Sequence, residues 1–171
     1  MRATLLLTAV GSDRTGLVDS LAQRVAAASG NWEDSRLARL GGQFVGMVLV
    51  TIDDSKTEAL IAKLRELESA GLHVTARVVP AAIGAPSGVK ARLDVTGSDR
   101  AGIVRDVSRI LAERGVNVEE LESSVASAPM SGEAMFVARA RLSVPASLEL
   151  ATLRSALESL GNELMVDLAA E

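Results

Sequence analysis

The hexapeptide Gly11-Ser12-Asp13-Arg14-Thr15-Gly16 returns 86 residues on as Gly97-Ser98-Asp99-Arg100-Ala101-Gly102, so the chain is a duplication that must build one small unit twice. Each copy follows a short apolar run, Leu5 to Val10 or Leu93-Asp94-Val95-Thr96, and precedes apolar residues at helical spacing. The motif therefore reads as a strand-to-helix turn. Asp13 and Asp99 are placed to cap the first N–H groups of the helix, and Gly16 and Gly102 leave its first turn without a side chain. Donors exposed at the positive end of a helix dipole suit a carboxylate or a phosphate. A cation there opposes the dipole by about 0.3–1 kcal/mol when exposed. Helix stability thus does not explain Arg14 and Arg100, which either pair with a carboxylate such as Asp19 or Asp106 or face an anionic ligand.

After the first turn, Leu17, Leu21, Val25 and Ala28 mark one helix face, with Gly30 suited to a left-handed end. Residues 32–40 and 43–53 read as two strands around Gly41-Gly42, a pair that supplies the positive φ angles of a tight hairpin. Ser55 with Glu58 resembles a capping box ahead of a second helix carrying Leu60, Ile61, Leu64 and Leu67, closed by Gly71, and Leu72 to Val79 is a last strand. Residues 80–88 have linker composition. The expected division is a first domain over 1–80, a linker over 81–89 and a second domain over 90–171. The second copy repeats the order. By Gly161 it has gained four residues, which are expected in the longer hairpin loop Ser127-Ala128-Pro129-Met130-Ser131-Gly132.

The order βαββαβ, twice, predicts an α+β fold of two ferredoxin-like units, each a four-stranded antiparallel sheet with two helices on one face. Strand 45–52 is apolar on both sides, so the open sheet face of the first copy is expected to be covered by another sheet or subunit. The matching face of the second copy is expected to be polar, because Lys90 to Thr96 alternates cleanly. A hydropathy of +0.26 agrees with apolar surface buried between units or subunits, hence a homo-oligomer.

Composition removes several functions. There is no cysteine, which excludes disulfides, thiol catalysis and thiolate metal sites. Residues 1–84 hold 9 Lys/Arg against 9 Asp/Glu and residues 85–171 hold 9 against 13, so no basic face serves nucleic acid. With two Phe and no Tyr the sheet lacks the aromatics on which an RNA-recognition module stacks bases. No apolar run reaches the ~18 residues of a membrane helix, and the initial run reads as a strand rather than a leader, so a cytoplasmic location is expected. His73 is the lone histidine and reads as a surface or core residue, and no serine has a histidine nearby for a relay. Glu33-Asp34 and Glu119-Glu120 are adjacent pairs whose side chains are expected on opposite strand faces, which argues against a metal. Trp32 is expected in an interface. No cofactor, metal or catalytic residue is expected.

The candidate ligand-binding residues are therefore Gly11, Ser12, Asp13, Arg14 and Gly16 with Asn31, and Gly97, Ser98, Asp99, Arg100 and Gly102 with Asn117. Each asparagine opens the second strand of its copy, and each is expected to converge with its turn at one end of the sheet. Backbone donors would hold a carboxylate while Asp and Asn oxygens accept from an ammonium. A free amino acid carries both groups on one carbon.

Two βαββαβ units with a Gly-Ser-Asp-Arg-x-Gly turn and a following Asn resemble tandem ACT domains, the small-molecule regulatory modules of amino-acid metabolism. Asn31-Trp32-Glu33-Asp34-Ser35-Arg36, Leu40-Gly41-Gly42-Gln43-Phe44 and the 127–132 loop resemble, further, the glycine cleavage system transcriptional repressor family. Thr15 and Ala101 stand where proline is frequent in ACT turns. The resemblance implies a ligand-responsive regulator without its own DNA-binding domain, acting through a DNA-binding transcription factor and sensing glycine or a similar amino acid. It also implies that the ligand lies near the turn, at an interface between domains. Two other readings stand beside it: an interaction module that binds no ligand, and a small acylphosphatase-type enzyme, whose phosphate the Asp in each turn would repel.

Overall fold

The computed structural model describes residues 1–80, 88–127, 132–161 and 164–171. The chain divides into two compact units, Met1–Ile83 and Gly84–Glu171. Residues 81–87, most of the expected linker, and residues 128–131 of the long hairpin loop lie outside the described residues.

The first unit runs β1 (Arg2–Ser12), α1 (Leu17–Ala27), β2 (Asn31–Leu40), β3 (Gln43–Asp53), α2 (Thr57–Arg65) and β4 (Leu72–Val79). Its sheet order is β2-β3-β1-β4, antiparallel throughout. The second unit repeats this with β5 (Val89–Ser98), α3 (Ile103–Glu113), β6 (Asn117–Ser127), β7 (Ala134–Val144), α4 (Leu150–Glu158) and β8 (Met165–Ala170), in the order β6-β7-β5-β8. The expected βαββαβ architecture is thus present twice. Alternation along β1 sends Ala3, Leu5, Leu7 and Ala9 into the core, where they meet Leu17, Leu21 and Val25 of α1 and Leu60 and Leu64 of α2. Among the described residues no helix is long and apolar enough to cross a membrane.

Two local expectations, at Gly30 and Ser55, are corrected. The left-handed residue after α1 is Ser29 at φ 59°, not Gly30. Gly30 sits in tight packing instead, since a Cβ there would lie 3.1 Å from a methyl of Val25 and of Val50. Ser55 is not the cap of the second helix. The carboxylate of Asp53 accepts from the Ser55 N–H (3.1 Å) and hydroxyl (2.9 Å), capping a 3-10 turn over Asp54–Lys56 that leads into α2. Trp32 packs, partly buried, on the core of its own unit. The glycines of the β2–β3 turn do adopt positive φ, 57° and 76°, as does Gly71 at 78°. His73 lies at the surface with Nδ1 3.3 Å from a Glu68 oxygen.

The two open sheet faces differ in chemistry as expected. In the first unit Leu6, Val45 and Leu49 are half-buried, with Val10 and Met47 exposed among them, and among the described residues no element of that unit covers them. In the second unit Arg92 and Arg139 share Asp94, at 2.9 and 3.3 Å, and Arg141 reaches Glu120 at 3.4 Å. Gly11 shows how closely β1 is held at its far end. A Cβ there would collide with the Gly71 carbonyl oxygen and lie 3.1 Å from the Leu72 Cα, both backbone atoms that cannot rotate away. Gly11→Ala should therefore destabilise the first unit by about 1–3 kcal/mol, read as a lowered denaturant midpoint. An unchanged midpoint would show that β1 and the turn before β4 separate at no cost.

Candidate functional site

The turn before α1 is built on Gly16, which precedes the helix at φ 91° and has no side chain to offer as a cap. The Ser20 N–H closes on the Gly16 carbonyl at 2.9 Å, and among the described residues the helix start has no side-chain cap. This corrects the capping role expected of Asp13. The Asp13 N–H donates to the Gly42 carbonyl (3.1 Å), which ties the turn to the β2–β3 hairpin, and its carboxylate lies 2.9 Å from Nε of Arg39. Arg14 points the other way and donates to the Ala70 carbonyl at 2.8 Å, bridging to the turn before β4. It does not pair with Asp19, which accepts from Gln23 at 2.8 Å.

The second turn is likewise led by a left-handed glycine, but its Ile103 N–H donates to the Arg100 carbonyl at 3.4 Å and its side-chain partners differ. Gly102 takes φ 87° without a side-chain cap, and the Asp99 N–H donates to the Ala134 carbonyl at 2.8 Å, so Asp99 is not a cap either. Arg100 pairs with Asp106 at 2.8 Å, one of the two alternatives open in the sequence, and Arg105 joins it at 2.9 Å. Register places Val125 opposite Phe136 as Arg39 is opposite Phe44, so among the described residues the cation that holds Asp13 has no counterpart beside Asp99. Arg100 lines a cleft with Gly97, Ser98, Ile103 and Leu160, whereas Arg14 spans the matching place in the first unit.

Asn31 and Asn117 do not join these turns. In the register Asn31 lies opposite Thr51, which faces Thr4, whereas the turn follows Ser12, which faces Gln43. Eight strand residues separate the two levels, about 26 Å. Asn117 is likewise opposite Ser143, beside Lys90, and the second turn follows Ser98. The expected convergence therefore fails within a unit. Both β1 and β2 are antiparallel to β3, so they run the same way, and the crossover helix returns the chain to the end from which β1 started.

A β-bulge between Trp32 and Asp34 adds a feature the sequence did not reveal. It leaves Glu33 unpaired in the ladder and turns its carboxylate to the face of Thr51, so Glu33 and Asp34 do not simply alternate. The Thr51 hydroxyl donates to Glu33 at 2.6 Å and the Asn31 amide at 2.9 Å. Those two bonds, the hydroxyl first, hold the Glu33 carboxyl below its ordinary 4.5. The second unit repeats the bulge between Val118 and Glu120, but there Glu119 is paired with Lys90.

Among the described residues no group of three His, Asp or Glu side chains could hold a metal. What the turns offer is open N–H donors, a carboxylate and an arginine, which is binding chemistry. The electrostatics of the second turn centre on Asp106, whose carboxyl the Arg100 hydrogen bond, then that of Arg105, holds below its ordinary 3.8. A depressed folded value means the contribution to stability is present above the unfolded value and is lost as pH falls through the folded one. In a carboxyl ¹³C titration Asp106 should have its midpoint below 3.8, and Arg100→Gln should move it upward. A midpoint that ignores the substitution would show that Arg100 does not hold this carboxylate in solution.

Comparison with known proteins bears on the fold and the family. Two ACT domain models match, one over residues 3–77 and the other over residues 91–161. The glycine cleavage system transcriptional repressor of Escherichia coli (strain K12) is 29% identical over 167 residues, covering 94% of this chain and 85% of that protein, and the Shigella flexneri repressor matches to the same extent. A crystal structure of a protein from Galdieria sulphuraria, described only as unknown, is 30% identical with a TM-score of 0.82, covering 100% of this chain and 99% of that one. With the element order, both turns and both matches in agreement, the chain belongs to the ACT domain family and carries two ACT domains in tandem.

Proposed function

We propose that this chain is an amino-acid-sensing regulatory protein that works by protein contact, in the manner of a glycine cleavage system transcriptional repressor. The observation that carries the reading is the doubled turn. Twice the chain presents uncapped helix donors with an aspartate and an arginine beside them, in a protein whose curated relatives are such repressors. The donors take the ligand carboxylate, and aspartate and asparagine oxygens take its ammonium. Glycine and serine, which need little room, are the first ligands to test. The partner of the reading is a DNA-binding transcription factor, and the cytoplasm is where both would meet. No step of the reading needs catalysis, a metal or a cofactor.

The 26 Å between turn and asparagine shapes the proposal. Two protomers paired antiparallel along an edge strand such as β2 would bring the turn end of one against the asparagine end of the other. A homo-oligomer is then a condition of the complete site, and ligand would favour one arrangement of protomers by a coupling of about 1–3 kcal/mol.

Two measurements test this. Ligand at 100 times its dissociation constant adds about 2.7 kcal/mol of stability, which moves the melting temperature by several degrees. A thermal-shift screen of the twenty amino acids should give a selective shift with one or two small ones. No shift with any of them would favour the ligand-free interaction module. Light scattering should show a dimer or larger at micromolar concentration, and a strict monomer would overturn the shared site.

A further inference from the structure

The Asn31 side chain is fixed in one orientation by a residue the binding motif does not include. Glu33 sits in the bulge two residues on, and a single oxygen of its carboxylate accepts from the Thr51 hydroxyl at 2.6 Å and from Asn31 Nδ2 at 2.9 Å. An ionised carboxylate can only accept, so the group of Asn31 that faces it is the NH2. The other group, Oδ1, is turned away from Glu33 and is what Asn31 has to offer. An unpinned asparagine can present a donor or an acceptor by flipping its amide, whereas this one presents an acceptor. The second unit lacks the device: Glu119 is engaged by Lys90, and among the described residues Asn117 has no bond to Glu119.

We propose that Glu33 is a positioning residue that presets Asn31 as an acceptor, so that the asparagine of the first unit, and not Asn117, selects ligands bearing a primary ammonium. This rests on the amino-acid-sensing reading above. It adds which copy reads the ammonium and by what means. Thr51 shares the work by holding the carboxylate in place. Asn31 itself touches the ligand, and Glu33 acts through it.

The test uses the full-length protein, glycine as the probe, and two readouts. In the ligand-free protein, the Asn31 side-chain NH2 should be shifted downfield and protected from exchange by NMR, and Glu33→Ala should remove both. By calorimetry, Glu33→Ala should weaken glycine binding about tenfold, a coupling usual for neighbours in one hydrogen-bond network, while Glu119→Ala leaves it within twofold. Asn31→Asp should also weaken binding, because two carboxylates then face each other. The double variant Asn31→Asp/Glu33→Gln reverses the direction of that hydrogen bond and still leaves an acceptor outward, so it should recover affinity to within about threefold. A merely structural Glu33 would give no such rescue. Glycine binding that is indifferent to Glu33→Ala, or a double variant as weak as Asn31→Asp, overturns the positioning role and leaves the sensing reading intact. If no amino acid binds the unaltered protein while the Asn31 amide is still protected, the sensing reading falls and the ligand role of Glu33 with it.

Discussion

Everything in each unit hangs on the pairing of its first and third strands. β1 and β3 match without interruption from Arg2 opposite Asp53 to Ser12 opposite Gln43, and β1 is also paired with β4, so it is interior on both edges. Its alternate residues form the floor on which α1 and α2 pack, with Leu5, Leu7 and Leu21 fully buried. The site geometry follows from this ladder. The end of β1 lies beside the tight β2–β3 hairpin, and so the turn before α1 can be tied to Gly42. The start of β2 lies at the other end, with Asn31 and the Glu33 bulge.

Duplication has kept this frame and changed what hangs on it. Both turns use a left-handed glycine ahead of the helix, and both second strands carry a bulge at a glutamate. The side chains then diverge. In the first unit Asp13 is held by Arg39, Arg14 reaches Ala70, and Glu33 holds Asn31. In the second, Asp106 gathers Arg100 and Arg105, while Lys90 takes Glu119. Packing diverges as well. Leu37 packs on the core over Gly46, where a Cβ would meet its methyl, whereas Ser123 opposite Ala138 leaves an apolar groove beside Leu121 and Val104. Two copies of one backbone thus carry unlike charges, surfaces and hydrogen-bond partners.

Some of the site was legible in the chain and some was not. The doubled hexapeptide located both turns, since the strand before and the helix after are local patterns, and Gly16 and Gly102 adopt the positive φ that only glycine takes without strain. The aspartates read as caps because composition near a helix start favours that role. Their actual partners, Arg39 and the hairpin carbonyls, lie across the sheet, and no local pattern announces them. The asparagines were read at the wrong end because the motif shows order along the chain and not direction in space. The bulge at Glu33 was invisible for a related reason: one extra residue in a ladder leaves no mark on a strand pattern until its neighbour is known.

Sequence alone determined the duplication, the element order, the position of each turn and the contrast between an apolar and a charged open sheet face, because these depend on periodicities of 2 and 3.6 and on glycine's backbone freedom. Tertiary structure alone decided which residues meet. Asp13 finds Arg39 and Glu33 finds Thr51 because hydrogen-bond register, once set by burial of β1 and β3, fixes every lateral neighbour at a distance that the order of residues does not encode.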